Sequence, residues 1–160
     1  MTFPHFCRFS KRIRNESGQA LVETCFSVPF ILLVLLGAAE LARAAYTAIE
    51  VSNAAKAAVQ YGAQNTATAA DLTGIQSAAS NDAANLSSLK TTISTTGICS
   101  NGNACTGTAG TCKATDCSTS HIETVLTVNT STTFNSIIQI PGWSGSFNLQ
   151  GQAVQKVLNY

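Results

Sequence analysis

The chain has 160 residues, 11% of them charged and 45% hydrophobic, with a formal net charge of +1. That length suits one modest domain plus an anchor. Residues 1–18 carry Arg8, Lys11, Arg12 and Arg14 against Glu16 (+4 − 1 = +3), while residues 19–160 carry five bases and seven acids (−2); the basic excess is a short head, and no Lys/Arg-lined face remains to make a nucleic acid a partner.

After this head, Thr24 to Ala39 is a run of 16 residues without a charge, and counting from Gln19 gives 21 residues in which Glu23 is the sole charge. At about 1.5 Å per residue such a helix spans ~31 Å, the thickness of a bilayer's hydrocarbon. Pro29 lies inside the run; membrane helices tolerate such breaks better than helices in water. The four bases ahead of the run put the N-terminus in the cytoplasm and everything after about Glu40 outside. The alternative of a buried core helix fails because no other part of the chain can wrap so uniformly apolar a helix.

A basic head before an apolar run also describes an ordinary secretory signal peptide, with Gly37-Ala38-Ala39 as a small-residue cleavage site near Ala39. That reading predicts a secreted soluble domain. It leaves Glu23 unexplained, since a carboxylate at mid-membrane costs about 2.5–3.5 kcal/mol on insertion scales. Lipoprotein processing at Cys25 does not fit, because Glu23-Thr24 precedes that cysteine.

The stretch "GQALVE", Gly18 to Glu23, resembles the class III signal of type IV pilins and pseudopilins. The resemblance implies that a prepilin peptidase cuts between Gly18 and Gln19, removes the leader 1–18, and leaves the apolar run on the mature protein. Glu23 then becomes an assembly residue. Its carboxylate pairs with the new α-amine on Gln19, or with that of a neighbouring subunit, as buried charges require. The match extends to the TadE-like family of the tight-adherence (Flp) pilus system over about residues 17–64, on Gly18, Gln19, Ala20, Val22, Glu23, Pro29, Glu40, Arg43, Ala44, Asn53, Ala54, Ala55 and Tyr61. Pilin signals usually carry an aromatic after the Glu; here Thr24 follows, and Phe26 two further on.

Beyond the run, Leu41, Ala45, Ala48, Ser52, Ala55, Val59 and Gly62 recur at spacings of three and four. They form a stripe of small and apolar side chains opposite a polar stripe of Glu40, Arg43, Thr47, Glu50, Asn53, Gln60 and Gln64. One helix is therefore expected from Gln19 to about Gln64, with Glu40 and Arg43 paired one turn apart. The small stripe fits either the protein's own head or close contact with neighbouring helices. In Thr66 to Thr96, Leu72, Ile75, Ala79, Ala83, Leu86, Leu89 and Ile93 keep a helical period, and Thr73-Gly-Ile-Gln76 matches a capping box. The expectation is a second amphipathic helix from about Gly74 to Thr92.

Strands are expected at Ile122–Val128, at Phe134–Ile140, and in the runs "SFNLQ" and "QAVQKVL" on either side of Gly151, giving three or four antiparallel strands under the second helix. Trp143 reads as a turn or core-edge aromatic. Between helix and sheet, Cys99, Cys105, Cys112 and Cys117 are separated by five, six and four residues. There is no C-x-x-C pair and no histidine at zinc-finger spacing, so a metal site is not expected. An exported loop favours two disulfides, and four cysteines allow three pairings, which the spacing leaves open. Cys7 would leave with the leader, and Cys25 reads as a small packing residue in the membrane helix.

His121 has Asp116, Ser118 and Ser120 nearby in sequence, but a loop cluster does not imply the geometry of a Ser-His-Asp site. No phosphate loop and no paired carboxylates occur in the exported part. The reading is of a non-enzyme without cofactor or metal, of α+β class: a long N-terminal transmembrane, pilin-like helix (19–64), and a 65–160 head with a second amphipathic helix, a small antiparallel sheet and a disulfide-rich loop at 97–118. The resemblance implies a pseudopilin or minor pilin in the bacterial inner membrane, with prepilin peptidase, the inner-membrane assembly platform, the major pilin, another minor pilin and membrane lipid as partners. A membrane-anchored adhesin is a further alternative.

Overall fold

The computed structural model describes residues 16–103, 105, 112–117, 120–138, 142 and 145–158. Residues 1–15 of the expected leader, with Cys7, and the expected edge aromatic Trp143 lie outside the described residues. Among the described residues the element order is α1 (Glu16–Gly62), α2 (Thr66–Ala70), α3 (Leu72–Asp82), β1 (Lys90–Cys99), a 3-10 turn (Ala114–Cys117), β2 (Ile122–Asn135) and β3 (Ser146–Lys156). The chain divides into two compact units, one ending at Ala39 and one beginning at Glu40.

In the first unit the described residues are the opening turns of α1. The helix continues through Pro29, whose missing N–H deprives the Cys25 carbonyl of its usual partner four residues on. Gly18–Gly62 is the one helix, among the described residues, long and apolar enough to cross a membrane; its most apolar 18-residue window has a mean hydropathy of 2.2 and none of it is buried.

The second unit is a three-stranded antiparallel sheet, order β1-β2-β3, with helices on one face. Ile93 pairs with Val128 and Val128 with Ala153, which sets the inward face; Thr92–Asn129–Gln152 is the adjacent outward row. Along β2 the side chains of Leu126, Val128, Thr130, Thr132 and Phe134 are buried, the alternation expected of a sheet covered on one side. The core joins Ala54, Ala58 and Val59 of α1, Ile75 and Ala79 of α3, and Leu126 and Val128 of β2.

Small residues on α1 let it lie close to the sheet. At Gly151 an added Cβ would sit 2.7 Å from the Val51 carbonyl oxygen and 2.8 Å from the Ser52 Cα. A side chain there has no room. Beside it, the buried Thr130 hydroxyl donates to the same Val51 oxygen at 2.7 Å. This bond explains a polar residue in the core: the hydroxyl is satisfied by a helix backbone.

The second helix differs from the sequence expectation. It starts at Leu72, capped by Asp71 and not by Thr73, and ends at Asp82, ten residues before Thr92. Asp71 Oδ1 accepts from the Gly74 amide at 2.9 Å, a bond that Thr73 is too late in the chain to make. A capping box does occur, one helix earlier: Asn65 Oδ1 accepts from the Thr68 amide and Thr68 Oγ1 from the Asn65 amide. Lys90–Cys99 is a strand and not the end of a helix. Its Thr- and Ile-rich run fits a pleated surface better than a helix.

The strand limits also differ. β2 runs unbroken from Ile122 to Asn135, so Phe134 closes this strand and does not open another, and the chain from Ser136 to Ile138 is not strand. "SFNLQ" and "QAVQK" are one strand across Gly151. The Asn129–Thr133 run, between the two expected strands, is itself strand: Thr130 and Thr132 point inward and find partners on the helix and in the loop before β1, Thr130 as above and Thr132 with Ser88 at 2.8 Å.

Candidate functional site

Gly18, Gln19 and Glu23 lie on the exposed surface of the first turns of α1. Thr24 turns its hydroxyl back to the Ala20 carbonyl at 2.8 Å, which removes a polar group from an otherwise apolar helix surface. Leu21, Phe26, Phe30 and Leu33 are each more than half exposed. An apolar surface of this extent is stable against lipid or other protein, not water. Cys25 is exposed with a free thiol.

In the second unit, Glu40 and Arg43 form the expected ion pair at 2.9 Å, and each also reaches the β2–β3 end. Glu40 Oε1 accepts from the Ile137 amide at 3.3 Å. The Arg43 guanidinium lies over the Phe134 ring, 5.4 Å from its centroid, and Phe134 stacks on Phe147 at 5.0 Å. One turn of α1 thus holds the end of a hairpin by a hydrogen bond and a cation–π contact. Glu50 continues this edge by accepting from the Asn85 side chain at 2.7 Å.

Tyr61 closes the other end of the helix. Its hydroxyl donates to Asp71 Oδ2 at 2.9 Å, while the other Asp71 oxygen caps α3. The Gly74 amide, then the Tyr61 hydroxyl, holds the Asp71 carboxyl below its ordinary range. Asn53, which the sequence puts on the polar stripe and in the family match, is exposed.

These contacts show which part of the helix stripe meets the head. The residues that meet the head are Val51, Ala54, Ala55, Ala58, Val59 and Ala63, with Glu40, Arg43 and Glu50 turned the same way. Leu41 and Ala45 belong to the outer side together with Tyr46 and Ile49, and Leu41 is 74% exposed. Of the small-residue stripe, Ala55, Val59 and Gly62 meet the head while Leu41 and Ala45 do not, because alanine-rich periodicity does not distinguish a face toward the chain's own sheet from one turned elsewhere.

The cysteines pair as a nested set, Cys99–Cys117 and Cys105–Cys112. Three of their sulfurs, those of Cys99, Cys105 and Cys117, cluster within 4.8 Å. Cys99 ends β1 and Cys117 ends the 3-10 turn, so the outer bridge ties the sheet to the loop. The nearby acids and histidine serve local structure. Asp116 Oδ2 accepts from the Lys113 amide at 3.0 Å. His121 is exposed, with Nε2 3.6 Å from Glu123, whose other oxygen pairs with Lys156 at 2.5 Å. Lys156, first, and His121 hold Glu123 below its ordinary range. Ser118 lies outside the described residues.

The model of the TadE-like protein family matches residues 18–60. The matched stretch begins at Gly18 and covers α1 nearly to its end; the sheet, α3 and the disulfide loop lie beyond it. No curated protein matches the chain, and no solved structure does. A TadE-like segment on a long apolar helix fits a membrane protein of a pilus system.

Proposed function

We propose, with the TadE-like segment of residues 18–60 as premise, that this protein is a pseudopilin or minor pilin of an adhesive Flp-type pilus. It is a single-pass inner-membrane protein with its N-terminus in the cytoplasm and its head exported, where two disulfides persist. A prepilin peptidase removes residues 1–18 by cutting between Gly18 and Gln19. Glu23 then stands one turn from a new ammonium group, and stacking of subunits gives each carboxylate a partner.

One observation carries this reading. α1 runs unbroken from Glu16 to Gly62, and the head covers only the side of it that bears Val51 and Ala58. Among the described residues, Leu41, Ala45, Tyr46 and Ile49 of the second unit stay exposed, an apolar surface for docking against other pilins. The partners are the prepilin peptidase, the assembly platform, the major pilin and a second minor pilin.

The test is N-terminal sequencing of protein extracted from membranes that contain a prepilin peptidase. The expected first residue is Gln19. A chain that still begins at Met1, or that begins beyond Ala39 as ordinary signal cleavage requires, overturns the reading. Glu23→Ala is expected to insert and be cut normally but not to be recruited into the pilus machinery; normal recruitment removes the assembly role of Glu23.

A further inference from the structure

The face of the sheet turned away from α1 carries a cavity of about 330 Å³. Its floor is the Thr130–Gly151 pair of β2 and β3, and its walls are Thr92, Asn129, Ser131, Gln150 and Gln152. Two rows across the strands build these walls: Thr92–Asn129–Gln152, and Ser131–Gln150 beside it, with Lys90 at the rim opposite Ser131. Asn129 and Ser131 on the central strand are half-buried, whereas Thr92, Gln150 and Gln152 on the outer strands are exposed. The result is a trough, low in the middle and raised at both edges.

The floor is held from behind. Thr130 is bonded to the Val51 oxygen at 2.7 Å, and Gly151 is pressed against the backbone of Val51 and Ser52. The trough therefore exists before any ligand arrives, which lowers the cost of binding.

Its chemistry is narrow. All five wall side chains are uncharged, and each is a hydroxyl or amide that both donates and accepts. An anion would seek guanidinium or ammonium groups in contact, and only Lys90 borders the trough. An apolar ligand would strip water from three amides without replacing their hydrogen bonds. A peptide strand would pair with the sheet's edge, not with its face. A neutral, hydroxyl-rich ligand matches every wall residue, and the volume lies at the lower end for small-ligand sites.

We propose that this trough binds a neutral polysaccharide, with Asn129 and Gln152 as the principal contacts and Ser131, Gln150 and Thr92 completing the row. The site goes beyond pilus assembly and is independent of it: loss of assembly leaves it intact, and its failure leaves the assembly role untouched.

The experiment uses the full chain in phosphatidylcholine nanodiscs, which avoids sugar-headed detergents. Maltohexaose, cellohexaose and chitohexaose are titrated while the side-chain amide resonances of Asn129, Gln150 and Gln152 are followed by NMR. At least one neutral hexasaccharide is expected to shift them with a dissociation constant on the order of 0.1–1 mM. Asn129→Ala/Gln152→Ala is expected to weaken binding about tenfold or more, while Gln76→Ala on α3 leaves it unchanged. An unchanged far-UV circular dichroism spectrum shows that the double variant is folded. No shift with any of the three sugars, binding that survives in the double variant, or response only to an anionic hexagalacturonate overturns the proposal.

Discussion

The Thr130 hydroxyl donates to the Val51 carbonyl oxygen at 2.7 Å, from the middle of a strand to the middle of a helix. Thr130 and Val51 are both fully enclosed, so the bond forms away from water. It joins the TadE-like helix to a sheet that lies outside the matched segment. Thr130→Val removes the donor while keeping the shape. The Val51 oxygen retains its place in the helix ladder, so the expected loss is about 1 kcal/mol and not the larger cost of an orphaned group. Gly151→Val is expected to cost more, since its side chain would have to displace helix backbone. Urea denaturation followed by circular dichroism ranks the two; a Gly151→Val protein as stable as the parent would mean that α1 does not lie against β3.

The nested disulfides predict unequal losses. Cys99–Cys117 spans a separation of 18 residues and Cys105–Cys112 one of 7. In the chain-entropy account, the longer loop gives the outer bridge an advantage of about 1 kcal/mol. Cys99 and Cys117 are also buried, so their replacement disturbs packing. Thermal melts of Cys99→Ser/Cys117→Ser and Cys105→Ser/Cys112→Ser should show the larger drop for the first. Peptide mapping under non-reducing conditions checks the pairing itself.

Acid should loosen the start of α3. Asp71 has its folded pKa depressed by the Gly74 amide and the Tyr61 hydroxyl. Its contribution is fully present above the carboxyl's unfolded value and is lost as pH falls through the lower, folded value. Asp71→Asn should flatten that acid limb of the stability curve. Glu123 has the same sign, so the comparison to make is variant against parent across the pH series. An identical acid limb in Asp71→Asn would show that this cap does not couple to pH.

Arg43→Ala should free the β2–β3 end without unfolding the head. The pair with Glu40 is partly exposed, so the expected loss in global stability is under about 1 kcal/mol. The local effect should be plainer: faster hydrogen exchange at the Ile137 and Phe134 amides than in the parent, with Leu126 unchanged. Equal exchange at all three would mean that the cation–π contact does not hold the hairpin.

Much of this architecture was legible without coordinates, and the failures have a pattern. Thr24–Ala39 announces a membrane helix because an uncharged apolar run is a property of the chain alone. Ile122–Val128 declares a strand by its β-branched residues. The expected second helix overran because Leu86, Leu89 and Ile93 sit at helical spacing, yet Ile93 points inward from a strand and pairs with Val128. Thr130 and Thr132 fell between two expected strands, since a hydroxyl in sequence carries no sign that a helix carbonyl or Ser88 will pair with it. Leu41 and Ala45 share a stripe with Ala55 and Val59, yet only the latter pair meets the head, because helical periodicity records only that a face exists.

By itself, then, the sequence determined the elements whose cause is local: the long apolar helix with its lone acid, the family signature from Gly18 onward, and four cysteines in one loop. The tertiary structure decided which cysteine joins which, which side of α1 meets the head, and where three strands begin and end. The physical reason is that each of these depends on distance between residues remote in the chain. Only folding brings Thr130 to Val51 and Glu40 to Ile137, and so turns a polar run into a core strand and a charged pair into a clasp.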